Sequence, residues 1–171
     1  MNFIDRVLVS AYLTTKDEIS FRMLYSRHNQ SLWNMAIKLT DGDKHQAEEL
    51  VQETWMRAVQ GLEKFEWRSS LRTWLIKISI NRWRELKRKQ PSVLLEDVHL
   101  AADVQVAGIE DSRKIVALLP EGYQTVLLLH DVEGYKHEEI ALILDIAPGT
   151  SKSQLHQARK AFRKLILNEH I

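Results

Sequence analysis

The spacing of apolar residues constrains this chain more than any other feature, because it follows the helical period almost everywhere. Between residues 15 and 40, apolar and aromatic side chains recur three or four positions apart. A second series of this kind runs from Ala47 to Leu62, and a third runs from Leu71 to Leu86. No segment shows sustained two-residue alternation joined by hairpin turns, which is the pattern of paired strands. The sequence therefore predicts an all-α fold.

Short polar segments indicate where the predicted helices begin. Thr15 followed by Glu18 has the spacing of a capping box, in which each side chain binds the other residue's backbone N–H. Asp43 with Gln46, at the end of the break "TDGD", predicts the start of the next helix. The segment "EWRSS" separates that helix from the third.

The composition changes sharply in the middle of the chain. Residues 91–112, "PSVLLEDVHLAADVQVAGIEDS", contain five acidic residues and no Lys or Arg, and they follow the basic run "RWRELKRKQ". We interpret this segment as a linker, although a short amphipathic helix around Val104 is an open alternative for part of it. The sequence thus predicts two small helical domains, residues 1–90 and 113–171, joined by an acidic linker.

The overall composition excludes several classes of protein. The net charge is only +1, so the charge of the whole chain indicates no particular partner. Because the chain has no cysteine, neither a disulfide framework nor a thiolate metal site is expected. The first residues, "MNFIDRVLVSAYL", hold Asp5 and Arg6 inside their apolar run and lack a small-residue cleavage site. No apolar run approaches the roughly 20 residues of a membrane span. We therefore expect a cytoplasmic protein without membrane insertion.

One short cluster raises the possibility of an enzyme. His137, Glu138 and Glu139 resemble the start of a zinc-protease helix, but that motif requires a second His where Ala141 stands. No other clustered His or Cys supplies the missing ligands. The sequence predicts no catalytic residue, no metal and no cofactor.

The segment "APGTSKSQLHQARKAFRKL" has the pattern of a helix-turn-helix. Ile140, Ala141 and Leu144 give one short helix an inward face, and Leu155, Ala158, Phe162 and Leu165 do the same for the next. Thr150 is predicted to cap the second helix. Its first turns are predicted to direct polar side chains outward, where a DNA major groove accepts them: Ser151, Lys152, Gln154 and Gln157. A plain helical hairpin has the same spacing and stays open as an alternative.

A basic stripe and an acidic face distinguish two helices of the first domain. Lys77, Asn81, Arg84 and Arg88 follow helical spacing, and Trp67, Trp74 and Trp83 are interleaved with these charges. Aromatic rings beside cations suit unstacked bases, although a solvated basic face is the simpler interpretation. The preceding helix is predicted to expose acidic and amide side chains, which favour a basic partner: Glu48, Glu49, Gln52 and Glu53.

Three longer segments together resemble one known family. "QAEELVQETWMRAVQGLEKF", "SSLRTWLIKISINRWRELKRK" and "LPEGYQTVLLLHDVEGYKHEEIALILDIAPGTSKSQLHQAR" are similar to extracytoplasmic-function sigma factors, which are specificity subunits of bacterial RNA polymerase. The resemblance implies a region 2 that grips the polymerase clamp helices and opens the minus-ten element. It also implies a region 4 that holds the polymerase flap and recognises the minus-thirty-five element.

The resemblance assigns roles to individual positions. Core RNA polymerase, promoter DNA and an anti-sigma factor are the partners that it implies. The polymerase-binding residues would be Glu49, Gln52 and Glu53; the minus-ten residues Trp67, Arg68, Lys77, Asn81, Arg84 and Arg88; and the minus-thirty-five residues Thr150, Ser151, Lys152, Gln154, Gln157 and Arg159. The main alternative is a two-domain helix-turn-helix regulator that binds duplex operators without polymerase, or an adaptor that binds only protein. A dimerising repressor is disfavoured because the chain has one recognition helix and no heptad seam.

Overall fold

The computed structural model of the protein describes residues 3–89 and 115–168, and all regular structure in these ranges is helical. The all-α prediction is therefore confirmed. In chain order the helices are α1 (Phe3–Thr15), α2 (Glu18–Leu39), α3 (Lys44–Gly61), α4 (Leu71–Lys89), α5 (Glu121–Leu127), α6 (His137–Leu144) and α7 (Pro148–Asn168). A 3₁₀ turn, Leu62–Lys64, follows α3, and a π-helical turn, Leu128–Val132, follows α5.

The chain divides into two compact units, Met1–Ser92 and Val93–Ile171. The first unit contains α1 to α4 and the second contains α5 to α7. The predicted acidic linker at residues 91–112, and the alternative helix around Val104, lie outside the described residues.

The core of the first unit lies between α2, α3 and α4. Helix α3 packs against both α2 and α4, and α1 packs against α2. The predicted apolar faces meet there, and each fully buried Leu or Ile contributes about 1.5–3 kcal/mol to stability. Side chains that are almost completely inaccessible fill this core: Leu24, Leu32, Met35, Leu50, Leu75, Ile76 and Ile80.

Helix α1 was not predicted, because its buried face is not purely apolar. It buries Leu8 and Val9 together with Asp5, which is only 3% exposed. The Asp5 carboxylate accepts hydrogen bonds from Arg27 Nε at 3.0 Å and pairs with His28 Nε2 at 3.1 Å. A buried carboxylate is tolerated only when it is paired in this way. The spacing of apolar residues does not indicate such a pair, so it could not predict this helix.

The helix starts confirm one predicted cap and correct another. Asp43 Oδ1 accepts from the Gln46 N–H at 3.0 Å, as predicted. The predicted cap at Thr15 is wrong, because Thr15 is the last residue of α1. Asp17 caps α2 instead: one carboxylate oxygen accepts from the Ser20 N–H and the other from the Thr15 hydroxyl, each at 2.8 Å.

The second unit contains the predicted helix-turn-helix. Ile140, Ala141 and Leu144 of α6 are buried, as are Leu155 and Ala158 of α7, which confirms this part of the predicted inward faces. Phe162 and Leu165, predicted on the same face of α7, are half-buried. Helix α7 begins at Pro148, which places its N-cap at Ala147, so the predicted cap at Thr150 is wrong by three positions. Proline suits the first helical position, where its missing N–H leaves no hydrogen bond unmade. Thr150 is exposed within the first turn.

Candidate nucleic-acid interface

The predicted basic stripe lies on α4. Ser70 Oγ accepts from the Thr73 N–H at 3.0 Å and so fixes where this helix starts. Lys77, Asn81 and Arg84 are half-buried, and Arg88 is exposed. Within residues 3–89 and 115–168, no hydrogen-bond partner is found for the Asn81 side chain. Its amide is therefore not committed to an internal contact of the described part of the fold.

Aromatic residues continue this surface beyond the N-terminal end of α4. Phe65 stacks on Trp74 with ring centres 4.7 Å apart, and Trp67 packs on Phe65 at the same separation. Trp67 is half-buried and has a positive φ of 58°, which is uncommon for a bulky residue. Arg68 is exposed and pairs with Glu66 at 2.7 Å.

Trp83 does not belong to this aromatic surface. It is 7% exposed, so the expectation that it suits unstacked bases is wrong. Its ring packs into the first unit, and the Lys87 ammonium lies 4.5 Å from its centre. The three tryptophans are close to the basic residues along the sequence, but only the packed structure shows which rings lie in the core and which lie at the surface.

The predicted acidic face on α3 is only partly open. Glu49 and Gln52 are exposed, whereas Glu53 is half-buried, so the prediction that Glu53 is exposed is wrong. One edge of the Arg82 guanidinium, formed by Nε and Nη2, donates to both oxygens of the Glu53 carboxylate, and the Arg82 side chain is only 13% exposed. Arg82 also reaches Glu85 at 3.3 Å.

The same ion-pair network includes a residue that the sequence did not single out. Arg57 of α3 donates two hydrogen bonds to the Glu85 carboxylate, at 3.0 and 2.7 Å. These hydrogen bonds hold the pKa of Glu85 below its ordinary value. The network therefore fixes α4, and with it the basic stripe, against α3.

The predicted outward face of α7 needs two corrections. Ser151 is completely buried, and its hydroxyl shares a hydrogen bond with His137 Nδ1 at 2.9 Å. Gln154 is half-buried, with its amide beside Gly122 and its Oε1 buried without a partner in the described ranges. Both residues lie on the side of α7 that contains Leu155, since Ser151 precedes Leu155 by one helical turn.

The exposed face of α7 is therefore rotated from the predicted one. Lys152 and Gln157 are exposed as predicted, and Ser153 and His156, which the sequence analysis missed, are exposed between them. The signal that would have found them is the helical period: positions 152, 153, 156 and 157 lie opposite the buried series at 151, 155 and 158. This face presents hydroxyl, amide, imidazole and ammonium groups at the start of a helix, which can reach base edges and phosphates.

A polar cluster connects the exposed face to the π-helical turn. Arg159 donates to the Asp131 carboxylate from Nε at 3.0 Å, and this contact holds the pKa of Asp131 below its ordinary value of 3.8. The His130 ring stacks on His137 with centres 4.7 Å apart. Burial, together with the nearby cationic groups, lowers the pKa of His137. Arg159 thus contributes to holding α7 in place as well as to its charge.

Replacing Asp131 by asparagine should show this role through its pH dependence. A carboxyl whose pKa is lowered by folding stabilises the fold fully above its unfolded pKa, near 3.8, and loses that effect as the pH falls through the lower folded value. Asp131→Asn should therefore lower stability at neutral pH, by about 1 kcal/mol at most because the pair is partly exposed. The melting temperatures of the two proteins should begin to converge only as the pH falls below about 4, with Glu138→Gln as control. A difference that stays constant down to low pH would contradict this.

Two of the residues that suggested an enzyme, His137 and Glu139, make structural contacts. Glu139 accepts a hydrogen bond from the Lys136 N–H at 3.0 Å and so stabilises the start of α6. In the part of the chain that the structure describes, no group of three or more His, Asp or Glu side chains is placed to hold a metal ion. None of the described helices is both long and apolar enough to cross a membrane.

Two family profiles match the sequence, one in each unit. The profile described as sigma-70 region 2 matches residues 24–92, which include the basic stripe and the acidic face. The profile described as sigma-70, region 4 matches residues 111–162, which include the helix-turn-helix. Together the two matches cover well over half of the chain.

Individual proteins are similar over most of the chain. The ECF RNA polymerase sigma factor SigM of Mycobacterium tuberculosis is 27% identical over 168 residues, covering 95% of this chain and 84% of the relative. The ECF RNA polymerase sigma factor SigX of Bacillus subtilis is 28% identical over 163 residues, covering 86% of this chain and 84% of the relative.

Solved structures share the fold. The sigma factor RpoE of Bartonella quintana, in complex with the anti-sigma factor NepR, matches with a TM-score of 0.67 and 28% identity, over 85% of this chain and 96% of that one. CnrH, in complex with the cytosolic domain of CnrY, has a TM-score of 0.71 at 23% identity, over 95% and 97% of the two chains. At that identity CnrH shows a common fold alone. With both regions matched in order and curated relatives of one class, the chain belongs to the extracytoplasmic-function sigma factors of the sigma-70 family.

Proposed function

We propose that the chain is an RNA polymerase sigma factor that binds core polymerase, recognises promoter DNA and helps to open it. One observation carries this proposal: a single chain combines both sigma regions, with a basic stripe on α4 of the first and an exposed polar face on α7 of the second. The stripe suits a separated strand, and the polar face suits duplex DNA. A protein that both selects and opens promoters needs both kinds of surface.

The polymerase would bind the acidic face of the first unit. Glu49 and Gln52 are exposed on α3, and although the Glu49 carboxylate lies 3.7 Å from His45, both side chains can meet a basic surface of the clamp. Glu53 would contribute from the same helix, although Arg82 already holds its carboxylate. Glu53 is therefore proposed to have two roles, in the fold and at the polymerase surface.

The minus-ten element would be held along α4 and the loop before it. Asn81 would bind the edge of a base that has left the stack, and Lys77, Arg84 and Arg88 would contact the backbone of the same strand. Trp67 and Arg68 would form the wall of this site. The unpartnered amide of Asn81 within the described residues supports this assignment.

The minus-thirty-five element would contact the exposed face of α7. Lys152 and Gln157 remain base-reading candidates, and Ser153 and His156 join them because they share that face. Thr150 lies at the exposed start of the helix, close to where a phosphate would approach. Ser151, Gln154 and Arg159 are proposed to act indirectly, because each makes contacts that position the helix.

Replacing Gln157 by alanine should change which upstream sequences are used. A good base contact contributes about 1–3 kcal/mol of discrimination, so promoter preference should shift by about tenfold at the base that Gln157 contacts. Arg163→Ala, further along α7, is the matched comparison: it should weaken all promoters alike and lower the salt slope by about 0.9. Binding of holoenzyme to a randomised upstream element measures both. If Gln157→Ala lowers the affinity for every upstream sequence by the same factor, Gln157 contacts no base.

The proposed function also implies whether the chain needs a cofactor, where it acts and which further partner it has. We assign the chain no catalytic role and no cofactor, since sigma factors act by binding, and we place its action in the cytoplasm with polymerase and DNA. An anti-sigma factor is a further proposed partner. The relative from Bartonella quintana, which was solved with the anti-sigma factor NepR, supports that assignment.

Two measurements test the proposal. The purified chain should co-elute one to one with core polymerase, and the complex should produce run-off transcripts from genomic fragments that core polymerase alone does not transcribe. A chain that binds duplex DNA by itself and leaves polymerase unbound would instead support a regulator that acts at operators.

A further inference from the structure

Arg6 of α1 lies against the loop that precedes α4. Its guanidinium carbon is 4.9 Å from the centre of the Trp67 ring and lies over the ring face. A guanidinium over an indole face is attracted by the negative electrostatic potential above the neutral ring, and the two planes can stack. This contact joins the first helix of the chain to the candidate minus-ten site.

The charge of Arg6 is open to a ligand. Arg6 is exposed, and among residues 3–89 and 115–168 no carboxylate lies within ion-pair distance of it. Other arginines of the same unit differ in this respect, because Arg27, Arg57 and Arg82 each bind a carboxylate. A cation that the described fold does not neutralise is available to an anionic partner.

The position of Arg6 is fixed by its neighbours. The adjacent Asp5 is buried and held by Arg27 and His28, which sets the rotation of α1 about its axis. Trp67 is fixed on the other side by its packing on Phe65. The base of the Arg6 side chain and the indole are therefore positioned before any ligand arrives, and the contact with the ring restricts the guanidinium, which reduces the entropy lost on binding.

The Arg6–Trp67 pair extends the basic stripe of α4. Trp67 packs on Phe65, and Phe65 stacks on Trp74. Trp74, Lys77 and Asn81 follow the i, i+3, i+7 spacing of one helix face. A strand that follows the stripe towards the start of α4 therefore arrives at Trp67 and Arg6.

We propose that Arg6 and Trp67 form a stacking platform for one unpaired nucleotide of the melted minus-ten strand. The guanidinium plane, supported by the indole, stacks on the base, and its charge contacts the neighbouring phosphate. This site rests on the proposed function and adds to it a residue of α1, which lies outside residues 24–92 matched by the region 2 profile.

The test measures binding of reconstituted holoenzyme to a promoter fork that is single-stranded across the minus-ten element. Arg6→Ala should weaken binding about fivefold or more and lower the salt slope by about 0.7, the value for one phosphate contact on a single strand. Arg6→Lys should keep the salt slope but recover only part of the affinity, because an ammonium lacks the planar face. Arg22→Ala removes an exposed arginine of α2 that pairs with Glu18, and it should bind as wild type does.

The outcomes separate this inference from the function on which it rests. Wild-type holoenzyme that fails to form, or to bind the fork, would overturn the proposed function. If Asn81→Ala weakens the fork complex while Arg6→Ala does not, the function stands and the platform is wrong. If Arg6→Ala weakens binding with an unchanged salt slope and a lowered melting temperature, Arg6 only supports Trp67, and the platform is again wrong.

Discussion

Replacing Asn81 by alanine is expected to reduce open-complex formation about tenfold, while polymerase binding and closed-complex formation stay close to wild type. Extracting a base from the duplex costs a few kcal/mol, and a pocket that binds the extracted base recovers part of that cost only after melting begins. The Asn81 amide can donate and accept hydrogen bonds at once, as the edge of a base requires. A tenfold loss corresponds to about 1.4 kcal/mol, which is within the range of one such contact.

A template that is already mismatched across the minus-ten element should restore much of the activity of Asn81→Ala, because strand separation no longer depends on the pocket. Asn34→Ala is the matched control, since Asn34 is an exposed asparagine of α2 in the same unit. Permanganate reactivity of unpaired thymines measures opening, and a thermal melt measures stability. If the premelted template rescues nothing and the melting temperature falls, Asn81 is a structural residue.

Reversing the charge of Glu53 is expected to destabilise the first unit. Glu53→Lys would leave Arg82, which is only 13% exposed, without its carboxylate and facing a second cation. Removing one partner from a pair that is partly buried should cost about 2–3 kcal/mol, which lowers the melting temperature by roughly 10 °C in a unit of this size. Glu49→Lys, on the same helix but exposed, should leave the melting temperature within about 2 °C of wild type.

A charge swap separates the two roles proposed for Glu53. The double variant Glu53→Arg with Arg82→Glu should recover most of the lost stability, because the ion pair is re-formed in the opposite sense. Its affinity for core polymerase should remain reduced, as should that of Glu49→Lys, because a cation replaces a carboxylate on the surface proposed to bind the basic clamp. Normal polymerase affinity in the folded double variant would remove Glu53 from that surface.

Local patterns in the sequence determined most of the secondary structure. The apolar period defined α2, α3 and α4, and Asp43 with Gln46 fixed the start of α3. Helix faces and caps of this kind can be predicted from the sequence because the residues that interact are only three or four positions apart. The inward faces of α6 and α7 were predictable for the same reason. The three segments that resemble the family were sufficient to identify it.

The tertiary structure alone decided which polar side chains are available to partners. Arg82 and Glu53 are well separated in sequence, and nothing in their own helices indicates that they pair across α3 and α4. Ser151 is buried because His137, on another helix, satisfies its hydroxyl. Trp83 lies in the core, whereas Trp67 is on the surface beside Arg6. A polar or aromatic side chain is exposed or buried according to whether a distant residue satisfies or covers it, and only the packed fold contains that information.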